Sequence, residues 1–141
     1  MEPNEKVTVE VLVNAPLEKA WKVWTEPEFI TKWNFASDDW KCPTAKNDLQ
    51  TGGRFSYLMK ASDDSVGFDF SGEYTRVEQL KVIEYRIDDG RMVNIVFTEE
   101  SDKTRVTETF EAENMHPVVL QRNGWQAILN NFKKLAEEEA K

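Results

Sequence analysis

One cysteine, Cys42, and one histidine, His116, are all that this sequence has of either residue. An intramolecular disulfide is therefore excluded, and so is a His/Cys zinc site, which needs several such ligands. Apolar runs of membrane-spanning length are missing, as is the charged-then-apolar opening of a signal peptide, so no membrane contact is expected and the expected location is the cytoplasm. Clustered Lys and Arg are missing too. With a net charge of −8 and no basic run, there is no phosphate-tracking face for nucleic acid. The acidity reads as a hydrated surface, and Glu137-Glu138-Glu139 as a solvated helix end. A glycine-rich phosphate loop, a Ser-His-Asp set and a Cys-His set are all absent, so no cofactor or metal is expected and no residue is assigned a catalytic role. Cys42 reads as a small buried hydrophobe, and His116, directly before Pro117, as a capping or surface residue at a helix start.

Aromatic residues, by contrast, are well supplied: five Trp, eight Phe and three Tyr in 141 residues. A chain of this length suits one domain, residues 1–141, able to bury a core without staples. Val7, Val9, Val11 and Val13 alternate as in a half-buried strand, which Asn14-Ala15-Pro16 ends. Leu17, Ala20, Trp21 and Trp24 then follow helical spacing, and Glu26-Pro27 opens a second short helix carrying Phe29, Ile30 and Trp33. Residues 34–43 fit neither period and read as a loop, although Phe35 and Trp40 need cover.

A meander of strands is predicted from residue 44 onward. Gly52-Gly53 permits a tight turn, after which Phe55, Tyr57 and Met59 alternate with polar or outward positions. Asp63-Asp64 marks the next turn, and Val66, Phe68, Phe70, Gly72 and Tyr74 share one face. Strands at Val82 to Ile87, Met92 to Glu99 and Lys103 to Ala112 follow, joined at Asp89-Gly90 and Ser101-Asp102. Their inward sets are Ile83, Tyr85 and Ile87; Val93, Ile95 and Phe97; and Val106 with Phe110. The period then changes. Val118, Trp125, Ile128, Leu129, Phe132 and Leu135 form a helical stripe, with Gln121 its polar exception. A helix over 117–139 spans roughly 33 Å, enough to cross a small domain. The order is α+β: one strand, two short helices, about six antiparallel strands and one long C-terminal helix.

Several of these segments resemble a known family. Val13-Asn14-Ala15-Pro16, Ala20-Trp21 and Trp24-Thr25-Glu26-Pro27 are similar to the opening of the SRPBCC, or START-like, helix-grip superfamily, most of all the branch of the activator of heat-shock protein 90 ATPase. Leu49 to Phe55 resembles its Gly-Gly turn, and Thr104 to Thr107 and Gly124 to Leu129 resemble its late strand and closing helix. The block Trp33 to Trp40 resembles a marker of bacterial polyketide-cyclase-like members. The resemblance implies a helix-grip fold, a curved antiparallel sheet of six to seven strands closed by the long helix over a cavity for lipids, polyketides or other hydrophobic molecules. The eukaryotic co-chaperone carries an additional N-terminal domain for which these 141 residues leave no room, which weighs against a chaperone role.

On that basis the candidate ligand-binding residues are Tyr57, Met59, Phe68, Phe70, Tyr74, Tyr85 and Phe97 from the sheet. Trp125 and Leu129 join them from the helix, and Trp33, Phe35 and Trp40 from the implied mouth. Aromatics at alternating positions serve equally well as core. Glu108 is the sharper oddity, since it shares strand parity with Val106 and Phe110 and alternation points it inward. A buried carboxyl is costly unless paired, and its pKa tends to rise. It would bind a polar ligand group or move a proton, unless it pairs with Arg or Tyr, turns outward at a bulge, or sits at the rim. Three functions are carried forward. The leading one is a binding protein for an apolar, ring-containing or acyl ligand. The others are a cyclase- or hydrolase-type enzyme using Glu108 and a Tyr, and an interaction module touching a chaperone.

Overall fold

The computed structural model describes residues 5–141, so the first four residues of the domain expected over 1–141 lie outside the described residues. Strand β1 (Lys6–Val13) runs into helices α1 (Leu17–Thr25) and α2 (Pro27–Trp33). Six further strands follow: β2 (Trp40–Asn47), β3 (Arg54–Ala61), β4 (Gly67–Glu78), β5 (Val82–Ile87), β6 (Met92–Glu100) and β7 (Lys103–Glu111). Helix α3 (Val118–Glu139) completes the chain. The seven strands make one curled antiparallel sheet in the order β1-β7-β6-β5-β4-β3-β2. Only β1 leaves sequence order: it pairs with β7, Val9 opposite Glu108 and Val11 opposite Val106.

Hairpin chemistry sets this order. Gly52 adopts φ +89°, and a Cβ on Gly53 would collide with the Asp48 carbonyl, so the Gly-Gly pair is required where β2 turns into β3. Alternation then decides which face is covered. Val7, Val9, Val11, Val13, Ile83, Val93, Ile95, Val106 and Phe110 are buried, and the residues of opposite parity on these strands are exposed or half-buried.

Residues 40–43, expected as loop, are the start of β2. Trp40 pairs with Ala61 and Lys41 with Lys60, and the register shifts before Thr44 pairs with Leu58. The bulge spans Cys42 and Pro43 on a strand paired on one side only, where a proline is tolerated and alternation is lost. Cys42 is buried there, with its Sγ 3.5 Å from the Thr44 carbonyl oxygen, and burial lifts its pKa. Val66, expected to share a face with Phe68 and Phe70, stands in the β3–β4 turn and is more than half exposed. Phe68, at the start of β4, is also more than half exposed.

Helix α3 packs on β1 and against α1 and α2. Arg122 Nη1 donates to the Thr8 carbonyl (3.1 Å) and Gln126 Nε2 to the Glu10 carbonyl (3.3 Å), satisfying edge carbonyls of β1. Near its end Glu137 accepts from the Asn14 amide at 2.8 Å. Its lower stripe, Leu129, Phe132 and Ala136, is fully buried, whereas Val118, Gln121, Trp125 and Ile128 are half-buried. Among the described residues no helix is long and apolar enough to cross a membrane.

Candidate functional site

The half-buried upper stripe of α3 faces space. A cavity of about 400 Å³ lies between it and the sheet. Its rings come from every layer: Trp24 and Trp33 from the short helices, Tyr57, Phe70 and Tyr85 from the sheet, and Trp125 from α3. Phe70 stands edge-on to Trp125 (6.4 Å, 72°) and to Tyr85 (6.4 Å, 89°), while Trp125 stacks flat on Phe110 at 4.1 Å. Tyr57 and Tyr85 lie deep in the protein and still keep accessible surface, because that surface is cavity wall. Burial drives both hydroxyl pKa values well above the ordinary tyrosine value.

Eight of the thirteen candidate residues line this space: Trp33, Tyr57, Met59, Phe68, Phe70, Tyr85, Glu108 and Trp125. Five do not. Phe97 and Leu129 have the right parity but are covered by other rings and helices. Trp21 and Trp24 cover Phe97 (5.1 and 5.8 Å), and Leu129 is wholly buried in the core where α3 meets α1 and α2. Tyr74 is buried against Phe55 (5.3 Å) and receives a hydrogen bond from Asn47 Nδ2 at 3.4 Å. Trp40 packs edge-on against Phe68 outside the cavity wall (5.9 Å). Phe35 is half-buried, and its carbonyl accepts a 2.6 Å bond from Asn131 Nδ2, anchoring the 34–39 segment to α3.

Glu108 faces inward with 6% exposure. Its same-face neighbours along β7 are Val106 and Phe110, and its partners across the sheet are Val9 and Ile95, all apolar and buried. Among the described residues its carboxyl has no hydrogen-bond or ion-pair partner, and no buried side-chain polar atom is both enclosed and unpartnered. The carboxyl is therefore left touching the cavity space. Desolvation alone raises its pKa to about 8.

Lining residues that sequence reasoning missed are mostly polar and stand on turns. Arg91, in the β5–β6 turn, donates through Nε to Asp89 (2.8 Å) and through Nη1 to the Glu111 carbonyl (3.4 Å). Glu113 and His116 precede α3, with His116 Nδ1 2.9 Å from Glu113 Oε1. Gln121 explains itself here as the polar break in the stripe. Its amide accepts from the Glu113 N–H (2.8 Å) and donates to the carbonyls of Glu113 (3.0 Å) and His116 (2.9 Å), clamping the segment to the helix. Of the two roles expected for His116, the structure gives the surface one: Pro117 takes the cap position, and the His116 ring stands exposed at the cavity edge.

At the opposite end Asn34 Nδ2 meets only sulfur, Met59 Sδ at 3.5 Å and Cys42 Sγ at 4.0 Å, which are weak acceptors. Trp33, in contrast, is satisfied, its indole N–H bonding the Val23 carbonyl at 2.9 Å. Trp24 and Ile128 were legible as apolar helix positions but not as cavity wall. Among the described residues no group of three or more His, Cys, Asp and Glu side chains is placed to hold a metal ion. A second depression, on the outer face of α3 between Lys133, Lys134, Glu137 and Glu138, is a solvent-facing furrow.

Comparison with known proteins places this geometry. A family model described as Activator of Hsp90 ATPase homolog 1-like protein matches residues 14–137. The AHSA1-like protein from Aeromonas hydrophila superposes with TM-score 0.90 at 42% identity, over 96% of this chain and 94% of that one. Chr148 from Cytophaga hutchinsonii gives 0.82 at 51% identity, over 95% and 93%. Protein NE0264 from Nitrosomonas europaea, 20% identical, gives 0.84 over 99% and 98%, a likeness of fold alone. No curated protein matches the chain.

Proposed function

The chain belongs to the Activator of Hsp90 ATPase homolog 1-like family, and from that premise we propose that it binds a small apolar or aromatic/acyl molecule between the sheet and α3. One observation carries the reading: about 400 Å³ of space walled by aromatic rings, with a few polar tips. That volume lies within the range of small-molecule sites, about 300–1,000 Å³, which are mostly apolar with a few polar groups to fix orientation. Glu108 and Asn34 supply such groups at separate points of the wall. Exposed Met115, Val119 and Leu120 adjoin His116 and Gln121 in sequence and suit the entry of an apolar molecule at that edge. A thermal-shift screen of aromatic and acyl compounds, followed by native mass spectrometry, tests the reading. Saturable rises in Tm with one-to-one adducts are expected, and a broad panel without either contradicts it.

A second reading draws on Glu108 itself. A carboxyl raised to about 8 and facing open space is suited to general acid–base chemistry of the cyclase or hydrolase type. Turnover of a bound acyl or polyketide compound, abolished in Glu108→Gln, is the expected result. Turnover retained in that variant removes the reading. A chaperone partner is carried only by the family description and stays a lesser proposal, tested by addition to a chaperone ATPase assay.

A further inference from the structure

Glu108 is a buried acid whose charge no described residue answers. Its sheet neighbours Val9, Ile95, Val106 and Phe110 carry no polar atom in their side chains. The titratable groups sharing its cavity are Tyr57 from β3, Tyr85 from β5, Arg91 from the β5–β6 turn, and Glu113 and His116 before α3. The short helices and α3 add only uncharged side chains, Trp24, Trp33, Asn34, Gln121, Trp125 and Ile128. Arg91 is the cation in this set, and it is held by Asp89 at 2.8 Å. No hydrogen bond or ion pair joins Arg91 to Glu108 among the described residues, and desolvation raises the pKa of the Glu108 carboxyl.

Apart from Met59 and Ile128 the apolar wall is rings, and an aromatic face carries negative electrostatic potential. The cavity thus presents an unanswered carboxyl among aromatic rings. An occupant with a neutral head gains ring contact alone. One with a positive head gains ring contact, attraction to the ring faces and an ion pair in a low-dielectric site, where such attractions are strongest. The net charge of −8 draws cations toward the protein as well. Building on the ligand-binding reading, we infer that the cavity selects organic cations, an ammonium or quaternary ammonium head on an apolar body, with the head against Glu108 among the aromatic rings.

Proton linkage follows. The empty cavity keeps Glu108 protonated at neutral pH, and a cation binds its ionised form, so binding expels a proton and tightens as pH rises toward about 8. Two probes of one shape isolate the effect: benzyltrimethylammonium, whose charge does not titrate, and neopentylbenzene, its neutral carbon isostere. Both are titrated by NMR at pH 6 and pH 9. Benzyltrimethylammonium should bind about tenfold or more tighter at pH 9, and neopentylbenzene equally at both. Glu108→Gln should abolish the pH dependence of the cation, and the wild-type comparison stands even if that variant folds poorly. Neopentylbenzene binding with no pH-dependent gain for the cation overturns the inference and leaves the ligand-binding reading intact. A gain that persists in Glu108→Gln also overturns it. Failure of both probes to bind overturns the inference together with the reading beneath it.

Discussion

Helix α3 covers two unlike interiors. Over its C-terminal half the sheet is packed solid: Leu129, Phe132 and Ala136 are fully buried, and Phe132 meets Trp24 and Trp33 at 4.8 and 5.3 Å. Over its N-terminal half Trp125 and Ile128 face the cavity. One helix and one stripe serve both halves, so the apolar pattern is not what separates them. The short helices are. Where α1 and α2 thrust rings under α3 the interior closes, and beyond Trp24 and Trp33 it stays open. A void of this kind has a physical cost, because close-packed contacts are forgone along its walls.

The sharpest way to break the comparison uses two adjacent residues. Leu129→Ala empties a packed site and should cost about 3–5 kcal/mol in urea unfolding, whereas Ile128→Ala enlarges a space already open and should cost about 1 kcal/mol. Equal losses would mean the two halves are packed alike.

Glu108 sharpens it next. Its folded pKa of about 8 lies above the ordinary value of 4.5, so the folded state holds the extra proton between those pH values. The stability it contributes is complete below about 4.5 and is lost as pH rises to about 8, a span worth on the order of 5 kcal/mol. Stability curves of the protein and of Glu108→Gln should therefore diverge through that window and run parallel above it. Parallel curves throughout would show the carboxyl to be solvated or paired.

The smallest effect belongs to the cavity edge. Gln121→Ala removes three hydrogen bonds to the 113–116 segment, none of them fully buried, and should cost about 1 kcal/mol. Faster hydrogen exchange at the Glu113 amide is the readout, and an unchanged rate would mean the clamp does not hold the segment.

Much of this was legible before any coordinates. Parity in β7 turned Glu108 inward, and the helical period exposed Gln121 as an interruption. Alternation also named most of the rings on the cavity wall. The same parity, though, put Phe97 and Leu129 in the cavity, because period two or 3.6 assigns a face and not what covers it. Trp21 and Trp24 cover Phe97, and that contact joins residues more than seventy positions apart. Trp40 stayed hidden in a presumed loop because the bulge at Cys42 and Pro43 erased the alternation of β2. Arg91, Glu113 and His116 escaped for another reason: they stand on turns, where no period operates, and reach the cavity only through the curl of the sheet.

The most direct test of an open half beside a closed one is a toluene titration followed on methyl resonances. The account predicts saturable shifts at the methyls of Ile128 and Met59, which line the cavity, and none at those of Ile30 and Val23 in the packed half. Shifts spread evenly over both sets, or absent from both, would contradict it.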